Sequence, residues 1–312
     1  MPLSVKENFM RCITGNIPEF VPRYSIGPVQ DVNMPQQCIQ ITCSVYDRKK
    51  SSGGYNQNIW GVEYIGAGIG EMPVPGKILL EDIRNWRDIV VAPDISDVDW
   101  EAVARKDLDK LTVDPSEVAL IGAGTLGYFI NLMNLMGFVD GLLAFYEEPD
   151  EVKALFSYFN EFYTAVNAKF MDHYPIDVFY IGDDTATAIN PFISPDMYRE
   201  FIKPFVMEDT RIARERGLPI MMHNCGRSED FVDDWIDCGI CCWTPAQTIN
   251  KLEAVKAKYG NNMVLAGCWG NQSSGSWEDV SEDFLRSEVR RVIDTFAPGG
   301  GYIFSEIGRA HV

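Results

Sequence analysis

The chain holds three histidines and eight cysteines, so groups able to bind a metal or attack an electrophile are few enough to weigh one by one. The segment PIMMHNCGRSED is the most informative. It sets His223 and Cys225 two residues apart at the end of an apolar run. On a strand, a spacing of two puts both side chains on one face. Imidazole and thiolate are two of zinc's preferred ligands. A third ligand is expected from another strand end, and Cys268, in LAGCWGNQ, is the candidate. The pair Asp183 and Asp184 closes a further run, FYIGDD. One of the two must face the same way as that strand's inward residues, where a carboxylate can orient substrate or move a proton. Gln247, after TPAQ, is a candidate polar substrate contact, and Trp269 a candidate apolar one, with Trp60 and Tyr64 as further wall residues. The remaining cysteines have weaker claims. Cys241 and Cys242 begin a strand and read as core, Cys238 ends a helix, and Cys12, Cys38 and Cys43 have no ligand-like company. His173 precedes a strand and reads as structural.

These residues need a scaffold that gathers strand ends. From residue 118 onward short apolar runs alternate with helical stretches. Strands are predicted at 118–123, 177–183, 219–225, 240–244, 263–269 and 301–304, with helices at 149–174, from Ser194–Pro195 onward, at 230–238 and at 281–296. A helix is predicted over 5–14, and residues 51–75 read as an excursion of loops and short strands in which Trp60, Val62 and Tyr64 alternate. Strand–helix alternation without hairpin signals implies a parallel sheet, either open and doubly wound or closed into a barrel, with active residues at the strands' C-terminal ends. Gly122, Gly124 and Gly127 spell G-x-G-x-x-G after a strand. With no acidic residue ending a following strand at the right distance, the tract reads as a tight strand-to-helix turn and not a dinucleotide site.

Composition narrows the function. The 312 residues carry 27 Lys+Arg against 45 Asp+Glu, a net charge of -18. Such a field repels nucleic acid and anionic membranes and disfavours a polyanionic substrate. No apolar run is long enough to span a bilayer, and residues 1–10 lack a signal-peptide core, so a cytoplasmic location is expected with the cysteines reduced.

The stretches KENFMRCITGNIPEFVP, DDTATAINPFISPDMYREFIKPF, GLPIMMHNCG and RRVIDTFAPGGGYIF together resemble the uroporphyrinogen decarboxylase (URO-D) superfamily over almost the full length. The resemblance implies a (β/α)8 TIM barrel, with residues 1–306 as one domain. It also implies one of two chemistries. True uroporphyrinogen decarboxylases hold a polycarboxylate with an arginine-rich N-terminal motif, whereas the corresponding VPRYSIGP here has Arg23 alone. The other branch transfers methyl groups, and there an H-x-C motif, matched by His223 and Cys225, binds zinc with a later cysteine. In that branch the later cysteine follows the PGGGYIF-like strand, so Cys268 is a substitute for it. The implied function is a zinc-dependent methyltransferase working between a small-molecule methyl donor or thiol acceptor and a corrinoid (cobalamin) protein. The alternatives are a cofactor-free decarboxylase acting on a carboxylate, anchored by Asp183 or Asp184, and a non-catalytic corrinoid or small-molecule binder. The last residues, IGRAHV (307–312), match a translated sequencing adapter. They are expected to be non-native, with the barrel truncated after its last strand and His311 excluded from any site.

Overall fold

The computed structural model describes residues 2–24, 35–67, 70–270 and 281–305. Twelve strands are present among them, in two sheets. Eight are parallel: β1 (Arg23–Tyr24), β2 (Cys38–Thr42), β7 (Ala119–Ala123), β8 (Val178–Gly182), β9 (Ile220–His223), β10 (Ile240–Ala246), β11 (Val264–Gly267) and β12 (Tyr302–Ser305). They pair in the order β1-β12-β11-β10-β9-β8-β7-β2. β1 and β2 approach across the remaining seam. The result is a nearly closed (β/α)8 TIM barrel. A four-stranded antiparallel sheet branches from it after β2: β3 (Lys49–Lys50), β4 (Asn56–Gln57), β5 (Glu63–Ala67) and β6 (Gly70–Pro73).

The barrel strands read as near-continuous apolar runs because both faces are covered. One face builds the barrel interior, from Val178, Tyr180, Met221, Cys242, Val264, Ala266 and Ile303. The other packs against the surrounding helices, with Phe179, Ile181, Ile220, Met222, Trp243 and Leu265 in that layer. The helix Val5–Ile13 plugs the N-terminal end of the barrel. It begins with a capping box between Ser4 and Glu7, and it places Phe9, Cys12 and Ile13 in the interior cluster.

Most predicted elements appear, with shifted ends. The segment opened by Ser194 breaks into helices Pro195–Phe201, Lys203–Asp209 and Arg211–Glu215. Pro204 explains the first break, since it cannot donate to the preceding turn. β9 stops at His223 and β8 at Gly182, so Cys225 and both aspartates lie just beyond their strands. The tail 307–312, with His311, lies outside the described residues. Among the described residues no single helix is long and apolar enough to cross a membrane.

Candidate metal centre

Strand parity decides which residues reach the barrel mouth. On β8, Val178 and Tyr180 face the interior while Phe179 and Ile181 face the helices. Continuing that alternation, Asp184 takes the inward register and Asp183 the outward one. On β9, Met221 faces inward, which gives His223 and then Cys225 the same register.

Three ligand atoms meet there. One from each of Asp184, His223 and Cys225 lie within 4.8 Å of one another. Cys225 Sγ is 3.5 Å from His223 Nε2, and His223 Nε2 is 3.8 Å from Asp184 Oδ1. The edges of a zinc tetrahedron built from N, O and S ligands are roughly 3.3–3.8 Å. These two spacings and the donor set are compatible with a zinc ion, and the structure brings Asp184, rather than Cys268, to His223 and Cys225. Burial, reinforced by the Asp184 carboxylate beside it, pushes the Cys225 thiol well above its ordinary value. Without a cation the sulfur stays protonated.

The loop carrying Cys225 is clamped from both sides. Cys225 N–H donates to Asp184 Oδ1 at 3.0 Å, and Gly226 N–H donates to Gln247 Oε1 at 2.6 Å. Gly226 is left-handed, at φ +88°, and a Cβ there would collide with the Ala186 carbonyl. Asn224 and Thr185 tie the same two loops together through the Asn224 amide. Beneath the group, the Tyr180 ring lies 6.0 Å from that of His223.

Several sequence expectations change. Cys268 is not brought to the group. β11 alternates regularly up to Ala266, but Gly267 (φ +128°) and Cys268 (φ +61°) are both left-handed. That twist turns the Cys268 side chain into the layer between barrel and helices, near Glu253 and Lys256. Asp183 does not face the mouth either. The residue is 6 % exposed, and its carboxylate accepts from the N–H groups of Tyr128, Phe129 and Ile130, at 3.0, 2.9 and 2.9 Å. These are the orphan donors at the start of helix Phe129–Met136. Burial pushes the Asp183 carboxyl up to about 6, against the opposing pull of those three bonds. The G-x-G-x-x-G tract leads into this same helix. Gly127, at φ +87°, leaves no room for a Cβ, which would sit 2.6 Å from Asp183 Oδ1. The anion position of the apparent nucleotide motif is thus filled by the protein's own carboxylate. Trp269 makes a tilted ring contact with Phe304, centroids 5.4 Å apart, and is not among the residues lining the cavity. Gln247 is fully buried behind the Cys225 loop, and its Nε2 has no partner among the described residues.

The group floors a cavity of about 1280 Å³. Asp184 and Cys225 form the floor. Ile130, Met133 and Phe138 form one wall, and Trp60, Tyr64 and Met72 of the antiparallel excursion form the facing one. Trp60 is fixed by a hydrogen bond from Nε1 to Tyr163 Oη at 3.0 Å and by a tilted ring contact with Phe159. The Trp60–Val62–Tyr64 alternation was the only sequence signal of this wall.

A parallel barrel with a His–Cys–carboxylate group at its strands' C-terminal ends defines the class: a TIM-barrel protein with its site at the mouth. Likeness to known proteins narrows this. Residues 70–306 match the family described as uroporphyrinogen decarboxylase (URO-D), and the chain belongs to that family. Among solved structures, a methyltransferase from Methanosarcina mazei is similar, with a TM-score of 0.62 at 14% identity over 99% of this chain and 94% of that one. No curated sequence matches.

Proposed function

We propose that the chain is a zinc-dependent methyltransferase that moves a methyl group between a small molecule, either a methyl donor or a thiol acceptor, and a corrinoid carried by a partner protein. The observation that carries this reading is the convergence of Asp184, His223 and Cys225 on the floor of an apolar cavity. Likeness to the methyltransferase from M. mazei supports it at the level of the shared fold. Zinc would be held by these three side chains. When bound, it supplies a Lewis acid that lowers the pKa of a ligating thiol or polarises a methyl-bearing heteroatom. A three-residue ligand set leaves a tetrahedral ion one position for substrate. The chain's own contribution is positional. Asp184 and Gln247 pin the two N–H groups of the Cys225 loop, and the aromatic wall excludes water.

Family membership supports a second reading, cofactor-free decarboxylation of a carboxylate with Asp184 as the acid–base group. Metal analysis combined with turnover separates the two. The first reading expects close to one zinc per chain, lost in both His223→Ala and Cys225→Ala, and demethylation of a methylated corrinoid protein. Carbon dioxide release from a carboxylate by metal-free protein would favour the second. Binding of the corrinoid protein without turnover would reduce the chain to a binder.

A further inference from the structure

We infer that the cavity above the metal group takes an uncharged, ring-sized apolar molecule and refuses its anionic counterparts. Naming that molecule as the methyl donor rests on the methyltransferase reading; the charge and size preference rests on the cavity alone.

Size is the first argument. Small-molecule sites typically span about 300–1,000 Å³. At about 1280 Å³ this cavity is far larger than a one-carbon alcohol or a small thiol needs. Lining is the second. Apolar side chains dominate the walls and run out to the rim, where Met72 and Ile78 are each 43% exposed and Ile189 is 74% exposed. Exposed apolar surface around a concave site marks a ligand groove.

Charge is the third and most selective argument. Among the described residues two cations line the cavity, Arg48 and Lys77, and both are already committed. Arg48 is ion-paired with Glu71 and stacks on Tyr64, its guanidinium carbon 4.1 Å from the ring centroid. Lys77 is paired with Glu63 at 2.5 Å and lies over Tyr55 at 4.5 Å. The floor adds the Asp184 carboxylate. A ligand carboxylate would therefore lose its water without gaining an uncompensated cation, which is costly. The net charge of -18 adds to the refusal. Neutral polar side chains also line the cavity, among them Asn58, Asn131, Asn134 and Thr187. Asn134 donates its amide N–H to Tyr64 Oη at 2.9 Å, and its carbonyl oxygen has no partner among the described residues. It can accept from a hydroxyl or N–H on an otherwise apolar ring.

The test uses a matched pair, 2-methoxynaphthalene and 6-methoxy-2-naphthoate, titrated by fluorescence into the protein before and after zinc removal by a chelator. The neutral ether is expected to bind at least tenfold tighter in both states. Met72→Gln should weaken the ether at least fivefold. Glu71→Gln, which releases Arg48, should narrow the preference at least threefold by improving carboxylate binding. Equal or tighter binding of the naphthoate to the wild-type protein overturns the inference, as does the absence of ether binding. An unchanged preference in Glu71→Gln removes the charge argument, and an unchanged affinity in Met72→Gln removes the location. Zinc content is read separately. Missing zinc with the preference intact sinks the methyltransferase reading alone, and zinc present without the preference sinks this inference alone.

Discussion

The two ends of the barrel use the same residue types to opposite effect. At the N-terminal end, Cys12, Cys38 and Cys242 lie in a dry cluster with Phe9, Ile13, Val264 and Ile303. Burial pushes the Cys12 thiol up to about 11 and also raises the Cys242 thiol well above its ordinary value. These are small hydrophobes in all but name. At the C-terminal end, Cys225 is also buried enough for its thiol to be raised, yet it has His223 at 3.5 Å and the Asp184 carboxylate against its backbone N–H. Its high proton affinity falls only when a cation arrives. A cysteine becomes a candidate ligand through its neighbours, and for Cys225 these include an imidazole and a carboxylate.

The sharpest way to break this contrast is to delete the ligands. Cys225→Ala or His223→Ala is expected to leave less than a tenth of the wild-type zinc, measured by elemental analysis, with methyl transfer lost at least 100-fold. Asp184→Asn should weaken zinc binding about 10–100-fold in a competition titration with a chromophoric chelator, since it alters a ligand and also loosens the Cys225 loop. If Asp184→Asn binds zinc as tightly as wild type, the third ligand is wrongly assigned.

The neighbouring Asp183 should behave as a structural residue. Asp183→Ala leaves three helix N–H groups without an acceptor and is expected to cost about 2–4 kcal/mol in urea unfolding. Its effect on zinc binding should be small wherever the protein stays folded.

A second buried carboxylate gives the pH test. Burial pushes Asp209 up to about 7, although it accepts from Tyr128 Oη at 2.6 Å and Asn160 Nδ2 at 3.0 Å. A folded-state pKa raised above the unfolded 3.8 contributes stability that is full below about pH 4 and lost as pH rises through about 7. The Asp209 contribution to the thermal stability of the wild type should therefore fall between about pH 4 and 7. Asp209→Asn should flatten that slope, the difference being on the order of a few kcal/mol. A parallel slope in both proteins contradicts the assignment. The smallest effect is expected at the other end of the barrel. Cys242→Ala should lower stability by about 1 kcal/mol and leave the zinc content unchanged.

Much of this was legible in the sequence. The alternation of apolar runs and amphipathic helices set a parallel sheet, and the matching stretches set the family and its barrel. Inward parity marked His223 and Cys225 as sharing a face, and it required one of Asp183 and Asp184 to join them. These follow from local chemistry: strand period, capping residues such as Ser4 and Ser194, and apolar patterning. Which aspartate points inward depended on where β8 begins and ends, a register that hydrogen bonding to β7 and β9 sets. Cys268 is turned from the group because two left-handed residues at the end of β11 reverse its side, and such a local twist is invisible in a pattern of residue types. The cavity wall was legible only as an alternation of Trp60, Val62 and Tyr64, because its meaning depends on packing against helix Pro149–His173, some hundred residues away. The sequence determined which side chains were available and which strand faces they occupied. Only the tertiary structure decided which of them meet, because that depends on strand ends, left-handed turns and long-range packing that no local spacing records.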